Sequence, residues 1–274
     1  MHNTTIAFIG AGNMAHSLIS GLVNDGMAAE GLWASDPDEQ RCSLIAGEFG
    51  IHTTTDNLEA VAAAETVVLA VKPQLLHQVA RSLAPSLAKG DKLVLSVAAG
   101  IRCQTLERWL GSGAAIVRAM PNTPALIQSG ATALFATDAV SEQQRETAES
   151  IMRSAGLTVW LDDETQMDAV TALSGSGPAY FFLFMEALEA AGRELGLPAD
   201  IARLLTLQTA FGAARMALES SEDPALLRQR VTSPGGTTEQ ALAVMEQAEI
   251  GRIIDQALKA AASRARELGT ELDA

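Results

Sequence analysis

Short runs of apolar residues alternate with amphipathic segments along the first half of the chain. The runs have the length of strands and cover 6–9, 31–35, 51–55, 66–71, 92–97 and 115–120, and the run 66–71 is rich in β-branched residues. The segments between them place apolar residues at helical spacing, which predicts helices over 17–23, 38–49, 57–64, 73–87 and 103–110. Two more strands are predicted over 131–136 and 157–161, with a helix over 142–155. This alternation is typical of an α/β fold with a doubly wound parallel sheet.

The pattern changes after Asp162, where strands give way to long helical stretches. Their apolar residues lie on broad faces, as Phe181, Leu204 and Phe211 illustrate, so these helices are buried on more than one side. A partner chain is the expected cover, and a compact monomeric bundle is the alternative. The sequence therefore predicts an α/β domain over 1–162 and an all-helical domain over 163–274. The predicted helices of the second domain span 164–173, 176–196, 199–219, 236–247 and 250–269.

The turn after the first strand has the pattern Gly-x-Gly-x-x-Ala, from Gly10 to Ala15, and leads directly into a helix. Gly10 permits the sharp turn, and Gly12 has no Cβ to keep a pyrophosphate away from the backbone. Ala15 lets the helix pack closely on the strand, and the helix N-terminus offers N–H groups to an anion. We interpret this turn as a dinucleotide site, although glycines before a helix also serve plain packing.

Other candidate residues follow the carboxyl ends of neighbouring strands, where ligands of such sheets bind. They are Gly10, Asp36, Lys72 and 98–100, and we expect them to face one crevice. Asp36 has the spacing of an acid that binds the adenosine ribose of NAD, whereas Ser35 suits a 2′-phosphate. Asp36-Pro37 is alternatively the N-cap of the next helix.

The charge and the cysteine content restrict the partners and the kinds of site that the chain is expected to have. The net charge of −14 and the isoelectric point near 4.7 argue against nucleic acid or an anionic membrane as a partner. Cys42 and Cys103 are too few for a disulfide framework and lie in no metal-ligand spacing, so we expect no metal. Free thiols suit a reducing compartment, and neither a signal peptide nor a membrane span is recognisable. We expect a soluble, cytoplasmic protein.

The distribution of proton donors restricts the chemistry. All four histidines (His2, His16, His52 and His77) precede residue 78, and no lysine lies between Lys92 and Lys259. A dehydrogenase that acts on a carbonyl or an alcohol usually uses such a group to handle the hydroxyl proton. A protonated imine needs no such acid, because it is already cationic and accepts hydride directly. The sequence therefore favours an imine substrate.

Two loops of the helical half are candidates for substrate binding. Residues 173–180 are small and lead into a helix, and Ser174 lies within them. Residues 231–239 gather glycines, hydroxyl groups and backbone N–H groups at a helix N-terminus, which suits a small carboxylate. Capping and turn formation is the alternative role of each loop.

The chain contains six motifs in a fixed order, and together they resemble those of the pyrroline-5-carboxylate reductase family. They occupy 10–15, 70–74, 96–100, 118–124, 174–180 and 232–238. The resemblance implies hydride transfer from NADPH or NADH to the C=N carbon of Δ1-pyrroline-5-carboxylate, which gives L-proline. It also implies a Rossmann domain followed by a helical dimerisation domain that interlocks with its twin. Dimers of the family often build a decamer, and each active site would contain residues of two protomers.

The resemblance carries roles to individual residues. The cofactor contacts it implies are Gly10, Ala11, Gly12, Asn13, Met14, Ser35, Asn57, Ala70, Val71, Lys72, Pro73, Ala98, Ala99 and Gly100, to which the spacing adds Asp36. The substrate contacts are Ser233, Gly235, Gly236, Thr237 and Thr238, to which the first loop adds Ser174. Backbone N–H groups near Thr237 and Thr238 would hold the carboxylate. The Thr238 hydroxyl would face the ring nitrogen, and Glu164 and Thr171 match positions near the nicotinamide and the substrate.

Two positions depart from the family pattern. Many relatives carry Asn-Arg or Ser-Arg where this chain has Ser35-Asp36, so both NADP and NAD remain expected cofactors. Thr237 replaces an alanine of some relatives, which leaves the backbone donor in place. The alternative functions are another imine reductase, a β-hydroxyacid dehydrogenase or a non-catalytic nucleotide-binding regulator. The lack of lysine in 93–258 speaks against the second, and the intact 233–238 loop against the third.

Overall fold

An eight-stranded sheet forms the centre of the first part of the chain. The structure is a computed structural model that describes residues 4–87 and 92–273. The strand order is β3-β2-β1-β4-β5-β6-β7-β8. All neighbours are parallel except β6 and β7, which are antiparallel. The strands are β1 (Ile6–Ile9), β2 (Leu32–Ser35), β3 (His52–Thr54), β4 (Thr66–Leu69), β5 (Leu93–Ser96), β6 (Ala115–Met120), β7 (Gly130–Ala136) and β8 (Gly156–Trp160).

Seven helices accompany the strands in the described part of residues 1–176. They are α1 (Asn13–Asn24), α2 (Glu39–Phe49), α3 (Asn57–Ala63), α4 (Pro73–Leu87), α5 (Cys103–Leu110), α6 (Glu142–Arg153) and α7 (Met167–Val170). Short 3₁₀ turns cover Ala29–Gly31, Thr123–Ile127 and Glu164–Gln166, and a π-helical turn covers Thr171–Gly175. The later helices are α8 (Gly177–Glu194), α9 (Ala199–Glu219), α10 (Pro224–Arg230), α11 (Thr237–Gln247) and α12 (Ile250–Leu272).

Both faces of the sheet are covered by apolar side chains. Ile6 and Phe8 of β1 join one core cluster, whereas Ala7 and Ile9 join the cluster on the opposite face. Because successive side chains of a strand point to opposite faces, helices must cover both sides of such a strand. The predicted α/β fold with a doubly wound sheet and a following helical domain is therefore confirmed, with one antiparallel strand pair added.

Three predicted segments differ from the structure. The helix α10 was not predicted, although Asp223 caps it and Pro224 begins it. The single helix predicted over 164–173 is instead a 3₁₀ turn, the four-residue α7 and the start of the π-helical turn. The last helix reaches Leu272 rather than residue 269.

The chain divides into two compact units. Residues 1–176 and 261–274 form the first, called here the sheet unit, and residues 177–260 form the second, called the helical unit. The boundary expected between 162 and 163 stays a prediction. His2 and the outermost ends of the two predicted domains lie outside the described residues. None of the described helices combines the length and the apolar character that crossing a bilayer requires.

Candidate active site

The carboxyl ends of four parallel strands lie side by side in the sheet unit. Ile9 pairs with Ser35 of β2 and with Leu69 of β4, and Leu69 pairs with Ser96 of β5. Residues 10, 36, 70 and 97 therefore leave the sheet at one edge. This register brings together the residues that were predicted at this edge of the sheet.

The glycine-rich turn fits a pyrophosphate. Gly10 has φ +97°, and a Cβ there would lie 2.9 Å from the Ala70 carbonyl oxygen, so the turn requires glycine. A Cβ on Gly12 would meet nothing within 4 Å of the chain, which leaves open space for a ligand. No side chain caps α1, whose first turn also has no acidic residue. Its N-terminal N–H groups are therefore free of side-chain acceptors and suit an anion.

Asp36 is tied to the glycine-rich turn. Its Oδ2 accepts the Ala11 N–H at 3.0 Å and lies 3.3 Å from Nη1 of Arg41, and its Oδ1 accepts the Asp38 N–H at 3.1 Å. The N-cap of α2 is Asp38, whose carboxylate accepts the Gln40 and Arg41 N–H groups. The alternative interpretation of Asp36 as the N-cap is therefore wrong. Asp36 instead links the end of β2 to the turn and holds a half-exposed guanidinium beside it.

Ser35 and Asn57 form a polar pair at the end of β2. The Ser35 hydroxyl donates to Oδ1 of Asn57 at 2.8 Å. Because Oδ1 accepts this bond, the Asn57 amide nitrogen keeps its two donors for another acceptor. Ser35 is buried and Asn57 is half-buried. The pair brings together two residues that the sequence predicted as cofactor contacts.

The loops after β4 and β5 complete the edge. Ala70 donates its N–H to the Ile9 carbonyl at 2.8 Å, which continues the ladder past the strand. Val71 is half-buried, Lys72 is exposed, and Pro73 begins α4. In the next loop Ala98 is buried, and Gly100 has φ +81°, a conformation that favours glycine.

Glu164 bridges two elements beside this edge. Its Oε1 accepts the Cys103 N–H at 2.9 Å and a bond from Nη1 of Arg118 at 2.8 Å. Residue 102, the N-cap of α5, offers no side-chain acceptor, so Glu164 caps that helix from a distant part of the chain. The Arg118 side chain is only 4% exposed, so Glu164 also neutralises a buried charge.

The thiol of Cys103 lies in the same cluster. Burial raises the pKa of this thiol strongly, and the nearby Glu164 carboxylate raises it further. Cys103 is therefore a protonated, unreactive thiol at neutral pH rather than a nucleophile. Among the described residues, no group of three or more His, Cys, Asp or Glu side chains is arranged to hold a metal ion.

Thr171 and Ser174 lie in the π-helical turn. π-Helical turns are rare and occur frequently at functional sites. The Thr171 hydroxyl donates to the Met167 carbonyl at 2.8 Å. The Asn122 amide donates to the Ser174 carbonyl and hydroxyl oxygens at 3.3 and 3.2 Å, and its Oδ1 accepts the Ala131 N–H at 2.9 Å. Asn122 thus fixes the predicted substrate residue Ser174 to the ends of β6 and β7.

The helical unit carries the predicted substrate loop between α10 and α11. Gly235 has φ +70° and donates its N–H to Oε2 of Glu239 at 2.7 Å, and Gly236 donates to the Ser233 carbonyl at 2.9 Å. No side chain caps α11, which begins at Thr237. The N–H groups of Thr237 and Thr238 are therefore free of a capping side chain, in a geometry that suits a carboxylate.

Sequence reasoning assigned no role to three of these residues, namely Arg118, Asn122 and Glu239. Arg118 is a charge within the buried strand β6, and a charge in an apolar run was the available signal for it. Asn122 and Glu239 are polar residues in loops, and nothing in the sequence shows their partners.

Comparisons with known proteins agree with this architecture. Residues 164–268 match the family described as pyrroline-5-carboxylate reductase dimerisation, and residues 5–100 match one described as NADP oxidoreductase, coenzyme F420-dependent. The pyrroline-5-carboxylate reductase of Pseudomonas aeruginosa is 53% identical over 272 residues, which cover 99% of each chain.

Two solved structures are also similar. A pyrroline-5-carboxylate reductase from Coxiella burnetii has a TM-score of 0.94 and 46% identity, covering 97% of this chain and 98% of that one. The pyrroline carboxylate reductase of Plasmodium falciparum, determined with NADP bound, has a TM-score of 0.87 and 30% identity, covering 98% and 99%. The chain belongs to the pyrroline-5-carboxylate reductase family.

Proposed function

We propose that this chain reduces Δ1-pyrroline-5-carboxylate to L-proline, with NADPH or NADH as the hydride donor. The observation that carries the proposal is the aligned edge of the sheet unit, where Gly10, Gly12 and the uncapped α1 form a pyrophosphate cradle. A relative that is 53% identical over 99% of each chain bears the name of this reductase, and another relative was determined with NADP bound.

In this proposal the sheet unit binds the dinucleotide. Backbone N–H groups of 12–14 hold the pyrophosphate, beside Ala11 in the same turn, and Ser35, Asp36 and Asn57 bind the adenosine ribose or its phosphate. The loops 70–73 and 98–100 support the remainder of the dinucleotide. When bound, the cofactor supplies the hydride, and the residues of the chain supply its position.

The helical unit binds the substrate. We assign the substrate carboxylate to the N–H groups of Thr237 and Thr238, supported by Ser233, Gly235 and Gly236, and the ring nitrogen to the Thr238 hydroxyl. We also assign a substrate contact to Ser174, and positions near the nicotinamide and the substrate to Glu164 and Thr171, as the family resemblance implies. The imine enters protonated, so hydride addition to its carbon gives the neutral amine directly and needs no separate acid. Orientation by fixed loops then contributes most of the catalysis, an effect worth about 7–11 kcal/mol in well-aligned reactions.

Self-association completes this picture. Residues 164–268 belong to a dimerisation family, so the chain associates with a second copy of itself. We propose that the dimer builds each active site from two protomers, and that dimers assemble further into a decamer. We place the activity in the cytoplasm, because the free, buried thiols Cys42 and Cys103 suit a reducing compartment.

The test follows NADH and NADPH oxidation by the purified protein, with and without racemic pyrroline-5-carboxylate. We expect rapid oxidation that stops near half of the racemate, with L-proline as the product, and the two rates give the cofactor preference. Binding of either cofactor without turnover would contradict the proposal and favour the regulator. Turnover of a different cyclic imine alone would favour a related imine reductase. Mass photometry of the same sample distinguishes dimer from decamer.

A further inference from the structure

The end of α12 packs against the loop between β5 and α5, both in the sheet unit. We propose that residues 265–273, called here the C-terminal brace, hold residues 97–102 in the conformation that binds the dinucleotide. The inference rests on the proposed function, because 98–100 are predicted cofactor contacts. Gly269 and Asp273 are then positioning residues that act through Gly100 and α5.

Gly269 and Gly100 make the closest approach. A Cβ on Gly269 would lie 3.1 Å from the Gly100 carbonyl oxygen, and a Cβ on Gly100 would lie 3.3 Å from Cδ1 of Leu272. Glycine inside a helix is less favourable than alanine by about 1 kcal/mol, so Gly269 in the 23-residue α12 calls for a reason. Close contact between the two backbones supplies it, since a side chain at Gly269 would push against the loop.

Asp273 fastens the brace to α5. Its Oδ1 accepts the Thr105 hydroxyl and lies 3.4 Å from Nη2 of Arg108, which also donates to the Asp273 carbonyl at 3.3 Å. Leu272 packs on the core cluster that contains Ala98, Ile101 and Cys103. The brace therefore combines polar and apolar contacts to one helix and one loop.

Glu164 holds the other side of the same loop. It caps α5 through the Cys103 N–H, whereas the brace contacts Gly100 and the side chains of α5. The loop 97–102 is thus fixed from two directions by segments that lie far from it in the chain. Arg266 of the brace also lies 3.8 Å from Asp168 of α7, which precedes Thr171. Loosening the brace would release the loop before dinucleotide binding, and binding would then have to order it.

The experiment introduces a side chain at the contact and compares it with the same change elsewhere. Gly269→Leu forces the loop away, whereas Gly269→Ala requires a shift of only tenths of an ångström. Gly47→Leu and Gly47→Ala are the matched controls, because Gly47 is an exposed glycine of α2 whose Cβ would meet nothing within 4 Å. The readouts are the Kd of NADPH by titration, the KM and kcat with pyrroline-5-carboxylate, and the melting temperature.

The brace predicts a graded loss of dinucleotide affinity. Gly269→Leu raises the Kd and KM of NADPH about tenfold, because part of the binding free energy must then order the displaced loop. Gly269→Ala has a smaller effect in the same direction, kcat at saturating NADPH stays near that of the wild type, and the Gly47 variants bind normally. Asp273→Ala also weakens binding, and Asp273→Asn, which keeps the acceptor oxygen, restores most of it. The Asp273 pair decides the matter if Gly269→Leu does not fold.

The brace alone would be overturned if the wild-type protein is active and both Gly269→Leu and Asp273→Ala bind NADPH with the same Kd as the wild type. Equal losses in the Gly47 controls would overturn it too. A wild-type protein that neither binds NADPH nor turns over would instead overturn the proposed function, and the brace with it.

Discussion

The sheet unit and the helical unit bury their apolar residues very differently. In the sheet unit, Leu95 and its neighbours in β4 and β5 are fully buried. In the helical unit, α8 buries only Gly177 and α9 only Ala202, and α10 and α11 bury no residue. Large apolar side chains of α8 and α9 lie exposed instead, among them Phe181, Phe182, Leu183, Leu204, Leu205 and Phe211.

This contrast suggests that burial within the chain stabilises the sheet unit, whereas the helical unit depends on association with a second chain. The sheet unit packs two large clusters of buried apolar side chains around its sheet and carries the predicted cofactor residues. The helical unit exposes many large apolar side chains on α8 and α9, as interaction surfaces do, and it lies within the region that matches a dimerisation family. We propose that a second chain covers these broad apolar faces, which is the interpretation that the sequence pattern favours.

The largest effect is expected from a charge on the exposed apolar face of α9. Leu204→Asp places a carboxylate where the partner chain packs, and burying an unpaired charge costs several kcal/mol, or about a thousandfold in dimer affinity. Analytical ultracentrifugation would show monomers, while NADPH still binds the sheet unit. Leu44→Asp is the control, since Leu44 is 73% exposed on α2. A Leu204→Asp protein that remains dimeric would place the interface elsewhere.

Truncation of the sheet core should act on folding instead. Leu95→Ala removes a fully buried side chain, and such changes lower the free energy of unfolding by about 2–5 kcal/mol. Urea denaturation at several protein concentrations measures this, and the loss should be the same at each concentration. If the loss of stability caused by Leu95→Ala changes with protein concentration, the sheet unit also depends on the partner chain.

Removal of the Arg118 charge tests how much the ion pair between Arg118 and Glu164 contributes to stability. Arg118→Leu leaves the Glu164 carboxylate without its guanidinium partner, and we expect a loss of about 1–3 kcal/mol in the free energy of unfolding, since Glu164 is only partly buried. Glu164→Gln keeps an acceptor for that N–H but leaves the arginine unpaired. The double variant should recover part of the stability, as coupled partners do. Strictly additive losses would contradict a direct pair.

The smallest change concerns cofactor choice. Asp36→Ala removes a carboxylate next to the ribose position and frees Arg41 to meet a 2′-phosphate, so the preference for NADH over NADPH should fall about three- to tenfold. Ratios of kcat/KM for the two cofactors measure it. Asp38→Ala, which removes the α2 cap and costs about 1 kcal/mol of stability, should leave the ratio alone. An unchanged ratio in Asp36→Ala would mean that Asp36 only holds the glycine-rich turn.

The sequence predicts features that depend on neighbouring residues and misses those that depend on distant ones. The glycine-rich turn, the strand ends and the start of α4 at Pro73 follow from local periodicity and turn chemistry. The antiparallel direction of β7 and the cap that Glu164 provides for α5 depend on tertiary packing, which periodicity does not report. One interpretation of the sequence places the N-cap of α2 at Asp36-Pro37, and the observed hydrogen bonds assign it to Asp38 instead. The carboxylate-binding role of the loop follows from its residues, whereas the role of the Thr238 hydroxyl follows from the family resemblance, and both stay predictions.

The central claim is a division of labour, in which the sheet unit binds the cofactor and the helical unit binds the substrate. Thr238→Ala tests it most directly, with Thr232→Ala as the control, because the Thr232 hydroxyl donates to the Arg228 carbonyl within the chain. Loss of a hydrogen bond to the charged imine should lower kcat/KM for pyrroline-5-carboxylate about 10- to 100-fold. The Kd of NADPH should stay unchanged in the same variant. Undiminished turnover, or an equal loss of NADPH affinity, would contradict the account.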